Sequence, residues 1–219
     1  MIIEFIGLPG AGKSTLITPF VKLLTDKGYD VINFSAHNQK LMGKPSGKLK
    51  FGLFLVLNFS KISKLKKVIA RGLGKEKVFK SRFLKLLLLI FSIMEYCKKN
   101  DKGVLVLDQA IIQMIGSIYV ELGIKDYTIT EKVFKESLAF LNTKHNYKVV
   151  TLDLPLEIAV NRVFSREKQN CEFKEMTQTD LELKLLQYET FIKTISPDVL
   201  VSSIENSDKN VVAIYQALF

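Results

Sequence analysis

Three groups of residues in this sequence are of types that handle phosphate. The first is Gly7-Leu8-Pro9-Gly10-Ala11-Gly12-Lys13-Ser14, which fits the spacing G-x-x-x-x-G-K-[ST] and runs on into Thr15. Glycines at these intervals let a backbone turn tightly, so that successive N–H groups point inward at phosphate oxygens. Gly7, Gly10, Ala11, Gly12, Lys13, Ser14 and Thr15 are therefore the candidates for binding a nucleoside triphosphate. Lys13 is expected at the open mouth of the loop, its charge facing the β- and γ-phosphates. The Ser14 hydroxyl is the expected Mg²⁺ ligand.

The second group is a single carboxylate. Asp108 closes the apolar run Val104-Leu105-Val106-Leu107. Beside a phosphate loop, an Asp in that place touches the Mg²⁺ shell or takes the proton of an attacking hydroxyl. The plainer reading is that a strand must end in something polar, and Asp forms turns readily. Gln109, next in sequence, can bond an acceptor or cap a helix. The third group is Arg162 and Arg166, four residues apart and so on one face of a helix. The chain has 28 Lys and four Arg, so two Arg at this spacing stand out. A guanidinium fork matches phosphate geometry and spreads transition-state charge, whereas an ammonium is a point charge. Their other reading is a solvated helix face paired with Glu157 or Glu167.

The elements that hold these groups can be read from hydrophobic runs. Ile2–Ile6 ends at Gly7 as a buried parallel strand would. A helix starts at Gly12-Lys13 and runs through Leu16, Phe20 and Leu24 to Lys27-Gly28, with Pro19 as a flaw in its second turn. Asp30–Phe34, Gly103–Leu107, Tyr147–Leu152 and Asp198–Ser202 read as four further strands, and Ser207–Leu218 as the last helix. Strands alternating with helices predict a parallel sheet of about five strands, covered by helices on both faces. Ligands of such sheets sit at the carboxyl ends of the strands, where all three groups fall.

In that order the three features resemble the P-loop nucleoside and nucleotide kinases, most of all the thymidylate-kinase-like branch. The resemblance rests on Glu4-Phe5-Ile6-Gly7 through Leu16, on Val104 to Asp108, and on Leu152-Asp153-Leu154-Pro155 with Arg162 and Arg166. It extends to a charged helix around Leu181–Ile195. It implies a P-loop NTPase-type fold, ATP and Mg²⁺ as cofactors, and phosphoryl transfer to a small acceptor. Lys13, Asp108, Arg162 and Arg166 would be catalytic, Ser14 and Asp108 would hold the metal, and a lid at about 156–176 would close over ATP and exclude water. The chain departs from that branch where an acceptor monophosphate would be held. Asn33-Phe34-Ser35-Ala36-His37-Asn38-Gln39 follows the second strand without an Arg, and Gln109 stands where an Arg is usual. Arg71 or Arg82 can substitute, or the acceptor is a neutral hydroxyl compound such as a sugar or nucleoside. His37 reads either as an acceptor contact or as a surface histidine.

Length and composition fit one domain over 1–219, with a core. Cys97 and Cys171 make no disulfide framework and have no metal-ligand spacing. No secretory signal and no membrane-spanning run is seen, which reads as cytoplasmic. The net charge of +10 is unevenly spread: residues 44–100 hold 13 Lys and 2 Arg against Glu76 and Glu95, a net +13, leaving −3 for the rest. Two apolar runs in this basic helical insertion, Phe51–Leu57 and Leu86–Phe91, are short enough to be buried helix segments. The cations between them are either a solvated face or a site for an anionic partner, an acidic glycan or a membrane surface to which the protein is peripheral. Nucleic acid is the weakest partner, because aromatics are not interleaved as stacking platforms. A homodimer stays open.

A small-molecule kinase is the leading expectation. The alternative is a P-loop NTPase acting as a switch or accessory factor without an acceptor, docked on anionic surfaces. A GTPase is disfavoured, since neither N-K-x-D nor D-x-x-G after the third strand occurs.

Overall fold

The computed structural model describes residues 1–33, 45–70, 77–99, 103–108, 110–121, 130–141, 146–165, 176–204 and 207–219. Its sheet contains β1 (Ile2–Gly7), β2 (Val31–Asn33), β3 (Val104–Asp108), β4 (Tyr147–Asp153) and β5 (Val199–Ser202), in the order β2-β3-β1-β4-β5. All pairings are parallel. The chain leaves β1 to one side for β2 and β3, and to the other for β4 and β5. The carboxyl end of β1 is therefore the switch point at which such sheets bind ligands.

Alternation along the strands divides the core in two. Ile3, Phe5, Val104, Val106, Val150 and Leu152 face one cluster. It is closed by α1 (Lys13–Asp26), α7 (Leu156–Phe164), α8 (Gln178–Lys193) and α9 (Ser207–Leu218). Ile2, Ile6, Leu105 and Leu107 face the other, which is covered by α4 (Lys77–Lys99), α5 (Ile111–Glu121) and α6 (Thr130–Leu138). Both faces of the sheet are buried, which is why its strands read as apolar runs. α1 continues unbroken through Pro19.

Between β2 and α4 lie α2 (Pro45–Leu57) and α3 (Phe59–Ala70), joined at Asn58, whose side chain donates to the Phe54 carbonyl at 3.0 Å. The two apolar runs of the insertion have different fates. Leu86, Leu87, Leu89, Ile90 and Phe91 of α4 are buried, as expected. In the Phe51–Leu57 run Phe54 is buried, but Leu53, Val56 and Leu57 are exposed. The expectation of a buried segment is corrected there: α2 packs one side against Phe91 and Phe140 and leaves the other uncovered. No helix among the described residues is long and apolar enough to cross a membrane.

Candidate functional site

The glycine loop leaves β1 at its switch point. Gly7, the last residue of β1, has φ +154°, and a Cβ there would lie 2.8 Å from the Leu152 carbonyl oxygen of β4. Gly10 has φ +88°, and a Cβ on it would meet Val163, the Ala159 carbonyl and Arg162 at 3.3–3.4 Å. Absent side chains at these two positions let β4 and α7 press directly against the loop. The Ala11 N–H donates to the Leu8 carbonyl at 3.0 Å, closing the turn over Pro9 and Gly10. Gly12, in the left-handed region, precedes α1 and supplies no side-chain cap. The first-turn N–H groups of α1 and the positive end of its dipole are thus left for an external acceptor.

Lys13 is not at an exposed mouth. Its side chain is buried, and its ammonium donates to the carbonyls of Gly7 at 2.9 Å and Leu8 at 3.1 Å. The charge folds back along the loop, where carbonyl oxygens solvate it at low water access. Ser14 and Thr15 are exposed on the first turn of α1. The Ser14 hydroxyl donates to Asp108 Oδ2 at 3.1 Å, joining residues 94 apart in sequence. Asp108 is the exposed end of an otherwise buried β3 and is in register with Phe5. A hydroxyl and a carboxylate side by side are hard oxygen donors of the kind Mg²⁺ takes, and that ion usually keeps several waters and needs only one or two protein groups. Among the described residues no group of three or more His, Cys, Asp and Glu comes together for a metal.

Arg162 reaches the same loop from α7, its guanidinium donating to the Gly10 carbonyl at 3.2 Å. Three elements therefore converge at one sheet edge: the loop into α1, the end of β3, and α7. Arg166, Gln109, His37, Arg71 and Cys171 lie outside the described residues. Arg82 is held by Glu121 of α5, with Nε donating to Oε2 at 2.9 Å and a second contact through Nη2. It is engaged in a bidentate ion pair, which counts against the expectation that it could hold an acceptor phosphate.

Sequence reading passed over one residue that shapes this edge. Glu4 sits in the middle of β1, fully buried. Its carboxylate accepts from the N–H groups of Ile112, at 3.0 and 3.1 Å, and Gln113, at 3.2 Å, and from the Tyr147 hydroxyl. It thereby caps the start of α5. Burial pushes its pKa up to about 7, against these hydrogen bonds, which pull it down. The Tyr147 hydroxyl is raised well above the usual tyrosine range, by burial first and then by Glu4. The available signal was a lone carboxylate inside Ile2-Ile3-Glu4-Phe5-Ile6, where a buried strand should carry none unless paired.

The sequence matches no protein-family model and no curated protein sequence. Solved structures do share the fold. Deoxyadenosine kinase from M. mycoides with bound dATP aligns over 100% of this chain and 99% of its own, at 17% identity and a TM-score of 0.50. The same enzyme with its products dCMP and a flexible dCDP aligns over 100% and 98%, at 16% identity and a TM-score of 0.50. Shikimate kinase from Aquifex aeolicus aligns over 100% and 96%, at 15% identity and a lower TM-score of 0.47. The class defined by this likeness is an α/β fold with a parallel sheet flanked by helices, of the kind found in P-loop kinases.

Proposed function

We propose that this protein is an ATP- and Mg²⁺-dependent small-molecule kinase that transfers the γ-phosphoryl group to a hydroxyl acceptor. The observation that carries the reading is the 3.1 Å contact between Ser14 and Asp108 at the mouth of the glycine loop. It puts a metal-type oxygen pair beside a backbone cradle, with a buried ammonium on one side and a guanidinium on the other. In this reading Gly7, Gly10, Ala11, Gly12, Ser14 and Thr15 bind the triphosphate. Lys13 exchanges its two carbonyl partners for phosphate oxygens. Ser14 and Asp108 hold the metal, which supplies charge neutralisation across the phosphates. Arg162, joined by Arg166, stabilises charge on the transferring group. A module that only binds nucleotide has less use for charge aimed at a transition state beside the loop.

The same proposal takes 1–219 as one cytoplasmic domain, the helices within 44–100 as an insertion, and 156–176 as a lid whose described part is α7. The acceptor belongs to the thymidylate-kinase-like range of nucleosides and nucleotides or to other small hydroxyl compounds. With Arg82 engaged by Glu121, acceptors lacking a phosphate come first. Nucleosides lead among them, since one enzyme sharing the fold is named as a deoxyadenosine kinase. The test is a panel of nucleosides, nucleoside monophosphates and sugars with Mg-ATP, scored for ADP release above the water blank. At least one acceptor should raise release tenfold or more, and Lys13→Ala should remove that gain while the protein stays folded. ADP release that no acceptor stimulates would return the protein to the NTPase reading.

A further inference from the structure

The uncovered side of α2 is not a random scatter of apolar residues. Leu49, Leu53 and Val56 recur at helical spacing on one face, with Leu57 at its edge. Their exposures are 77%, 56%, 72% and 74%, and Phe59, which opens α3, is 72% exposed. Lys48 and Lys50 flank the stripe, one on each side. On α3, Lys66 and Lys67 follow Phe59 by seven and eight residues and so share its face. Residues 45–70 contain six Lys and no Asp or Glu.

Some of these cations are already used. Lys64 pairs with Glu136 at 2.8 Å, Lys50 lies 3.8 Å from Glu95, and Lys61 sits over the Phe140 ring. Lys48, Lys66 and Lys67 are exposed and make no ion pair among the described residues. The two helices therefore present exposed apolar residues beside exposed cations that have no ion-pair partner among the described residues. Soluble proteins seldom leave such a ridge uncovered without a use for it.

We propose that the α2–α3 segment docks on an anionic lipid bilayer. Leu49, Leu53, Val56, Leu57 and Phe59 enter the headgroup–acyl boundary, while Lys48, Lys66 and Lys67 lie against the headgroups. Three observations select this occupant. At 13 residues α2 is roughly 20 Å long, too short to span a hydrocarbon core of about 30 Å, and suited to lying along it. Lysines beside an apolar ridge can extend their charge to the headgroups while their stems stay apolar. A second copy is disfavoured, because a two-fold contact sets a patch against itself, and this one would oppose Lys to Lys with no acid within 45–70.

The test is flotation of the full chain with vesicles of phosphatidylcholine, alone or with about 30% phosphatidylserine. Light scattering of the lipid-free protein over a concentration series accompanies it. Binding should need the anionic lipid and weaken strongly between 0.1 and 1 M salt, as the Debye length falls from about 10 to 3 Å. Leu53→Glu with Val56→Glu changes only exposed positions and should abolish flotation while circular dichroism and Tm are kept. Lys66→Gln with Lys67→Gln should weaken it roughly 30-fold, since each cation near the headgroups contributes about 1 kcal/mol. Absence of flotation, equal flotation with neutral vesicles, or flotation untouched by both double variants would overturn the proposal. So would a dimer in light scattering that Leu53→Glu with Val56→Glu dissolves, which would give the ridge to a second copy.

Discussion

Phe51–Leu57 and Leu86–Phe91 look alike in sequence, both being short apolar runs in a lysine-rich segment, yet they end in opposite environments. In α4 the run is pressed against Ile2 and Ile6 of β1 and Leu105 and Leu107 of β3, and its residues are almost wholly buried. In α2 only the side bearing Phe51, Phe54 and Leu55 joins that cluster, and among the described residues nothing packs over the opposite side. Composition sets how much a segment gains from burial. What stands opposite decides whether it is buried, and that is a property of the whole fold.

The contrast can be put to measurement, beginning where the effect should be largest. Phe91→Ala removes a ring packed against Phe51 and Phe54 in the closed cluster. It should cost about 3–5 kcal/mol in denaturant unfolding. A cost under about 1 kcal/mol would mean that the α4 run is no better covered than the α2 run.

Glu4 shares the packed side, and it makes the stability of that side depend on pH. Its pKa is raised from 4.5 to about 7 by burial. The folded chain therefore holds a proton that the unfolded chain releases between those values. The stabilisation is complete below about pH 4.5, is lost as pH rises through 7, and amounts to about 3 kcal/mol. Glu4→Gln is neutral throughout and can still accept from Ile112 and Gln113. Relative to it, the wild type should lose stability from pH 4.5 to 7.5, and parallel curves for the two proteins would show that Glu4 is not so shifted.

Gly10→Ala tests close approach at the glycine loop. The left-handed backbone and the contact with α7 at 3.3–3.4 Å should together cost about 2 kcal/mol. The smallest effect belongs to the uncovered ridge. Leu53→Ser should change stability by less than about 0.5 kcal/mol, and a loss near that of Phe91→Ala would place Leu53 in a core.

Much of the frame was legible because parallel strands buried on both faces must be apolar runs. Ile2–Ile6, Gly103–Leu107 and Tyr147–Leu152 each lie within about a residue of the observed strands at either end. The glycine loop was legible because its backbone demands leave few alternatives to Gly at fixed intervals. What escaped the sequence depends on partners far along the chain. Lys13 is buried because loop carbonyls turn toward it. Arg82 is engaged because α5 brings Glu121 beside it. The role of Glu4 exists only once α5 and Tyr147 are in place, so a charge inside an apolar strand was the sole hint.

The central claim is that Ser14 and Asp108, 94 residues apart and in contact at 3.1 Å, form one metal and phosphate site with the glycine loop. Calorimetric titration of ATP into wild type and Asp108→Asn, with and without Mg²⁺, tests it most directly. Mg²⁺ should tighten ATP binding to the wild type. In Asp108→Asn that gain should fall about tenfold or more, as loss of a charged ligand implies, while metal-free ATP still binds the loop. The same Mg²⁺ gain in both proteins, or no ATP binding by the wild type, would contradict the account.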